Sequence, residues 1–354
     1  MGVGVAGVRE RVAGFCERYG LRVPILAAPM AGACPPELAI AVAQAGGMGA
    51  CGVVLDGPER IADWMARFRA GSGGSVQLNT WVPDAPADDT PRVAAASGFL
   101  ARLGSPGAEP RPLPEFAGQC AAMLDARPTA VSSIMGRFDT DYVRRLHDAG
   151  IAWFAVATTL ADALAAQDAG ADAVVAQGME AGGHRGTPDP DAAESVDVGL
   201  FALVPHLADR LDVPVIATGG ITDGRGVAAA LTLGASAVQV GTALLRSPEA
   251  GINAQWSAAL ADLAPEATTP TRAYSGRLGR AVRTPYVAAW EALDAPNPAP
   301  YPHQRMLVGQ MRAGDRGSVD PVNFWAGQSA ALARQAAAEE IVTAMWRDAD
   351  ALLP

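Results

Sequence analysis

The chain has 354 residues, of which 50% are hydrophobic and 18% charged, with 39 glycines and 27 prolines. That hydrophobic share excludes a mainly disordered chain, and the length suffices for two average domains or for one α/β barrel with insertions. With 27 Lys+Arg against 37 Asp+Glu, the formal charge is −10 and no basic run appears, which argues against nucleic-acid binding and against an anionic membrane surface.

The opening run MGVGVAGVRERVAGF carries Arg9, Glu10 and Arg11 where a signal peptide needs apolar residues. Ala6 breaks the myristoylation pattern, and no apolar stretch is long enough to cross a bilayer. Gly2 to Gly7 matches GxGxxG, but no strand precedes it, so the dinucleotide fingerprint lacks its context. Cys16, Cys34, Cys51 and Cys120 are scattered without a CxxC pair. Neither zinc nor a disulfide framework is indicated, and the expectation is a cytoplasmic protein with reduced thiols.

Apolar, often β-branched runs then alternate with alanine-rich helical stretches. The strand-like runs are Pro24–Met30, Met48–Gly52, Val76–Trp81, Ala130–Met135, Ala152–Ala157, Ala173–Gly178, Val213–Thr218 and Ala237–Thr242. Between them lie helix candidates at Pro36–Ala45, Pro58–Ala70, Thr140–Ala149, Leu160–Ala169 and Gly224–Leu233. Strands covered on both faces read as continuous apolar runs, and parallel neighbours need a crossover helix. Gly46, Gly150, Gly170 and Gly234 follow the helices, as left-handed C-terminal caps would. Eight such units predict an α/β fold, a (β/α)8 TIM barrel over 1–246, with a doubly wound open sheet as the competitor.

Two segments break the rhythm. Pro83–Pro114 holds seven prolines and reads as a long excursion after the third strand. After Ala243 the pattern changes: Pro248–Leu263 reads as helix, and a loop-rich stretch follows. The region 247–325 is expected to form a smaller, mainly helical unit beside the barrel mouth. The amphipathic tail Ala326–Leu353 (within 326–354) is expected to form helices that pack back on the barrel.

Chemistry in such barrels collects at the C-terminal ends of the strands. Those ends carry Ala28-Pro29-Met30, Asn79-Thr80-Trp81, the run from Gln177 to Gly186, Thr218-Gly219-Gly220 and Gln239-Val240-Gly241-Thr242. Turns after the last two strands are the usual phosphate site, so Gly219, Gly220, Gly241 and Thr242 are cradle candidates; the bland alternative is that the glycines only permit tight turns. In EAGGHRG, Gly182 and Gly183 clear space for a flat ring beside His184. That imidazole, in a polar loop, can accept a proton near neutral pH. Arg185 either holds an anion or bridges Glu180 or Asp189. His147, His206 and His303 read as structural, Trp64, Trp153, Trp290, Trp325 and Trp346 read as packing residues, and no metal site can be argued.

Together, PILAAPMAGA, AQGMEAGGHRG, VIATGGITDGRGVAAALTLGASAVQVGTALL, RAYSGRLGRAVRT and the late WAGQSAALAR run resemble the nitronate monooxygenases, formerly called 2-nitropropane dioxygenases. The resemblance covers nearly the whole chain. It implies a flavoprotein with noncovalent FMN. Asn79, Gln177, Gly182, Gly220, Gln239, Gly241 and Thr242 match FMN-contacting positions, with Gly183 and Gly219 beside them. Backbone around Ala28–Met30 would line the flavin ring, and His184 matches the catalytic histidine. The amides suit a flavin because they donate and accept without adding charge. The implied reaction is oxidation of an alkyl nitronate with O₂ to a carbonyl compound and nitrite, the partners being a small nitronate or nitroalkane and O₂; a homodimer stays open. Related flavin-dependent enoyl-acyl carrier protein reductases share the barrel and the AGGH run. They supply one alternative, an NAD(P)H-dependent reductase of an enoyl thioester; a flavin-binding accessory protein without turnover is another. Two departures from the family pattern bear on substrate: Ser132-Ser133-Ile134-Met135 after the fourth strand, and His-Gln-Arg-Met after Tyr301-Pro302.

Overall fold

The computed structural model describes residues 7–84, 90–317 and 319–354. Residues 2–6 of the GxGxxG match and part of the 83–114 excursion lie outside them. Eight parallel strands follow the expected runs: β1 (Ile25–Ala27), β2 (Gly49–Gly52), β3 (Val76–Trp81), β4 (Ala130–Ile134), β5 (Ala152–Ala157), β6 (Ala173–Gln177), β8 (Val215–Thr218) and β9 (Ala237–Val240). The two-residue strand between them in sequence, β7 (Gly183–His184), stands apart. The order β1-β9-β8-β6-β5-β4-β3-β2 closes on itself. A parallel bridge pairs Leu26 with Met48, and the Ala27 N–H donates to the Met48 carbonyl at 2.9 Å. This is a (β/α)8 barrel, not an open sheet.

Local chemistry sets where the helices start and stop. Pro36 and Pro58 occupy first-turn positions, where a missing N–H costs nothing. Asp139 and Thr159 accept from the Tyr142 and Asp162 N–H groups at 2.8 and 3.1 Å. Gly46, Gly150, Gly170 and Gly234 all take positive φ just past the helix ends, as read from sequence.

Three expectations change. Pro248–Leu263 is helical only over Ala254–Ala259, because the Asn253 side chain caps Trp256 N–H at 2.7 Å and starts the helix there. Within the tail the long helix is Ala338–Asp350, and most of 326–337 is irregular chain drawn over the barrel mouth, with the Gly327 N–H donating to Thr242 Oγ1 at 3.0 Å. The 83–114 excursion contributes a helix, Thr90–Leu103.

A second, smaller core lies beside the barrel. Ala96, Phe99 and Leu100 from that helix pack with Ala273, Tyr274, Tyr286, Val287, Trp290, Val308 and Met311. Two further strands, β10 (Thr268–Thr271) and β11 (Gly279–Val282), form an antiparallel sheet with β7. Gly279 pairs with His184 and Arg280 with Gly183. His184 is therefore held on a strand and not in the free loop expected from sequence. Pairing across roughly a hundred residues carries no local pattern that a sequence reading can see.

Candidate active site

A cavity of about 430 Å³ opens at the C-terminal ends of the barrel strands, within the roughly 300–1,000 Å³ of ordinary ligand pockets. Ala28, Pro29 and Met30 line it from the chain leaving β1, Asn79 from β3 and Gln177 from β6. Gly182, Gly183 and His184 line it from the segment ending in β7, Gly219 and Gly220 from the turn after β8, and Gln239, Gly241 and Thr242 from the end of β9. The fold thus brings the residues read from the sequence as cofactor-contacting or catalytic to one cavity; Arg185 is not among its lining residues.

Three of these glycines have measurable reasons to be glycine. Gly219 and Gly220 take φ of +124° and +67°, conformations that side chains resist. Neither of their N–H groups donates to an acceptor among the described residues. At Gly182 the constraint is space: a Cβ would lie 2.4 Å from the Gly327 nitrogen and 2.6 Å from the Ala326 carbonyl carbon. The irregular 326–337 chain is therefore part of the site, and Gly182 is the position that lets it close.

The amides divide into two kinds. Gln177 is committed to backbone: its Nε2 donates to the His184 carbonyl at 2.9 Å, and its Oε1 accepts from the Gly186 N–H at 2.7 Å. It shapes the histidine segment. Asn79 Nδ2 donates to Ser132 Oγ at 3.0 Å, which leaves its carbonyl oxygen for the cavity. Gln77, fully buried in the barrel, donates through Nε2 to Ala27 O and to Gln239 Oε1 at 3.0 and 2.9 Å. Gln239 therefore keeps its NH₂ donors for whatever fills the cavity. Arg185 does not line the cavity. Its guanidinium is spent on the Gln177 and Val196 carbonyls at 2.6 and 3.0 Å, a buried brace and neither of the roles read from sequence.

His184 faces the cavity between two indoles. Trp81 lies 4.5 Å from its ring centroid and Trp325 lies 4.6 Å from it. Burial first, and the Arg277 guanidinium second, push its pKa down to about 3. The imidazole is neutral at any working pH, so it offers a lone pair and an N–H but no positive charge. Its Nε2 sits 2.7 Å from Ser275 Oγ. Arg277 is itself 2% exposed and ion-paired with Asp84, and it donates also to the Thr187 and Pro188 carbonyls.

Sequence reasoning assigned no site role on the opposite wall, lined by Tyr274, Ser275, Tyr301, Arg305, Arg312 and Trp325, and only the departure after Tyr301-Pro302 touched it. From sequence Trp325 reads as packing, but it lines the cavity. Its ring also meets Tyr274 at 5.4 Å, and Tyr301 lies 5.1 Å from Trp81, so one aromatic group surrounds the histidine. The SGRLGR and YPHQR strings held the signal, but nothing local said that they face the barrel mouth.

A parallel (β/α)8 barrel with a ligand-sized cavity at its strand ends, and a neutral histidine inside it, is the architecture of a barrel enzyme. The nitronate monooxygenase family model matches residues 16–348. The chain is 38% identical, over 93% of its length and 93% of theirs, to a nitronate monooxygenase of Paraburkholderia phytofirmans. A nitronate monooxygenase of Pseudomonas aeruginosa is also 38% identical, over 93% of this chain and 96% of its own. Among solved structures, a nitroalkane oxidase from Streptomyces ansochromogenes superposes with a TM-score of 0.85 at 31% identity, covering 96% of this chain and 100% of that one. The chain belongs to the nitronate monooxygenase family and is an oxidoreductase. No helix among its described residues is long and apolar enough to cross a membrane.

Proposed function

We propose that the cavity binds FMN and that the protein oxidises alkyl nitronates with O₂ to a carbonyl compound and nitrite. The observation that carries this is one wall holding both a neutral imidazole and a pair of left-handed glycines with undirected N–H groups. The residues present fit such a cofactor. Gly219, Gly220, Gly241 and Thr242 would receive its phosphate through main-chain N–H groups. The Gln239 NH₂ and the Asn79 carbonyl would meet the ring and ribityl chain without adding charge. A Cβ at Gly241 would lie 3.2 Å from Met30 Sδ and 3.3 Å from Ala28 Cβ, so a side chain there would crowd the wall formed by Ala28 and Met30. When bound, the flavin accepts electrons from substrate and passes them to O₂. We also propose the division into a barrel (1–246), a smaller unit (247–325) and closing helices (326–354), with Thr90–Leu103 joined to the smaller unit.

The residues act around that group. Ser275 Oγ lies 3.2 Å from the Arg277 carbonyl, the acceptor for its hydroxyl proton. The His184 Nε2–H then donates to Ser275 Oγ, which leaves Nδ1 as the bare acceptor. A nitronate arrives already deprotonated, so it needs His184 only to orient it. A neutral nitroalkane must first lose its α-proton, and Nδ1 would be its acceptor. His184→Asn should therefore cost about 100-fold or more on a nitroalkane and far less on its preformed nitronate, followed as oxygen uptake. Equal losses on both would reject the base role.

Anaerobic mixing tests the reaction itself. Nitronate should bleach the flavin absorbance rapidly and NADPH should not. The reverse result would assign an enoyl-thioester reductase. A yellow protein that neither compound bleaches, and that takes up no oxygen, would be an accessory flavin binder.

A further inference from the structure

The cavity has a positively charged end that neither the proposed flavin nor the histidine uses. Arg305 and Arg312 sit seven residues apart on the helix His303–Ala313, hence on one face of it, and both line the cavity. The chain contains no lysine, so its cations are guanidinium groups that do not lose their charge at any working pH.

The two arginines differ in how they are held. Arg312 donates through Nε and Nη2 to the Pro321 carbonyl at 3.0 and 2.8 Å, and through Nη2 to Asn323 Oδ1 at 2.8 Å. It is fixed. Arg305 makes no hydrogen bond or ion pair with any described residue, and its Nη1 is buried without a partner. Arg305 lies within electrostatic reach of both Arg312 and the Tyr301 phenol. The carboxylates that act on its neighbours Tyr301 and Arg312 are already engaged: Asp84 pairs with Arg277, and Asp320 pairs with Arg316 at 3.0 Å. A buried guanidinium N–H without a partner, next to a second cation, is unfavourable in the unliganded protein. It becomes favourable when a planar oxyanion accepts from it.

We propose that Arg305, backed by Arg312, is an oxyanion subsite of the substrate cavity and selects substrates in their anionic form. This rests on the nitronate reading for the identity of the substrate, but not for the existence of the site. The nitronate head and a carboxylate elsewhere on the substrate offer the same chemistry to a guanidinium. The cofactor phosphate is assigned to the turns after β8 and β9, on the barrel wall.

The test is calorimetric titration of sodium nitrate into the protein as purified, at constant ionic strength. Wild type should bind, Arg305→Gln should bind about tenfold or more weakly, and Arg305→Lys should recover part of the loss. Because Arg305 bonds to no described residue, both variants should melt close to wild type. Nitrate binding that is absent, or indifferent to Arg305→Gln, overturns the proposal. So does a variant that loses FMN affinity in place of nitrate affinity. Turnover then locates the charge: a raised KM for both propane 1-nitronate and propionate 3-nitronate means that the nitronate head is held, and a raised KM for the second alone means the carboxylate. If neither nitronate is oxidised while nitrate binding still depends on Arg305, the catalytic reading falls and the subsite stands.

Discussion

The two walls of the cavity are built by different kinds of sequence. On the barrel wall each residue stands within a few positions of a strand end: Asn79 on β3, Gln177 on β6, Gly219 and Gly220 after β8, Gln239 and Gly241 at β9. On the other wall Tyr274, Ser275, Tyr301, Arg305 and Trp325 come from loops, a helix and the end of an irregular run, held by a separate hydrophobic core. The barrel wall is rigid because its backbone is shared with the sheet. The other wall is joined to it through side chains and loop backbone, among them the β7–β11 pair, the Arg277–Asp84 bridge, the His184–Ser275 hydrogen bond, and the contact of Gly327 with Gly182 and Thr242. Cofactor chemistry would then reside where backbone is least free to move, and substrate choice where it can be rebuilt.

Breaking the ties should hurt most. Gly182→Val puts carbon where the 326–327 backbone already lies, so either the barrel segment or the closing run must move. The expected loss of FMN affinity is about 100-fold, seen by fluorescence titration. A variant with wild-type affinity would show that the closing run is not part of the binding wall. Asp84→Asn comes next. Arg277 is 2% exposed and would lose its counter-ion, but Asp84 is 24% exposed, so water softens the cost. Thermal unfolding should register about 1–3 kcal/mol, below the loss for a fully buried pair. Histidine chemistry should be disturbed as well, because Arg277 and Ser275 belong to one segment.

The same contrast sets what could be read in advance. Strand and helix periods, first-turn prolines and glycine caps are local signals, and they located the barrel and its loops to within a few residues. The region around the second core has fewer of these signals, Pro285 in a first turn being one. Its helix Thr90–Leu103 belongs to a proline-rich excursion that reads as loop, and Trp325 looks like any packing tryptophan until Gly182 admits the chain that carries it. Gln77 escaped notice because a glutamine facing the inside of a barrel cannot be told by pattern from one facing out. Its role emerges only from the bonds to Ala27 and Gln239.

A subtler change sharpens the picture of the histidine. Ser275→Ala removes the acceptor of the Nε2–H without touching the imidazole. The ring should then be free to rotate or change tautomer, and kcat with a neutral nitroalkane should drop about tenfold, while KM for the preformed nitronate stays near wild type. Ser275→Thr keeps an oxygen in place and should restore part of the rate. A uniform fall on both substrates would mean that Ser275 supports the wall and not the proton acceptor.

The smallest expected effect is a flat line. A solvent-exposed histidine titrates near 6.5, and an enzyme depending on its free base would lose activity as pH falls through that value. Here burial and Arg277 hold His184 down to about 3, so its lone pair is available over the whole working range. Rates with a neutral nitroalkane at saturation should therefore stay level from about pH 5 to about pH 8, with no acid limb near 6.5. The same depression has an opposite signature in stability. Below about pH 6.5 the unfolded chain takes up a proton at this position and the folded chain does not, so folding weakens steadily as the pH drops towards 3. His184→Asn should remove that part of the slope from a series of melts taken between these limits. An acid limb near 6.5 in the wild-type rate, or melts whose slope the substitution leaves untouched, would mean that the indoles of Trp81 and Trp325 do not seal the imidazole from water.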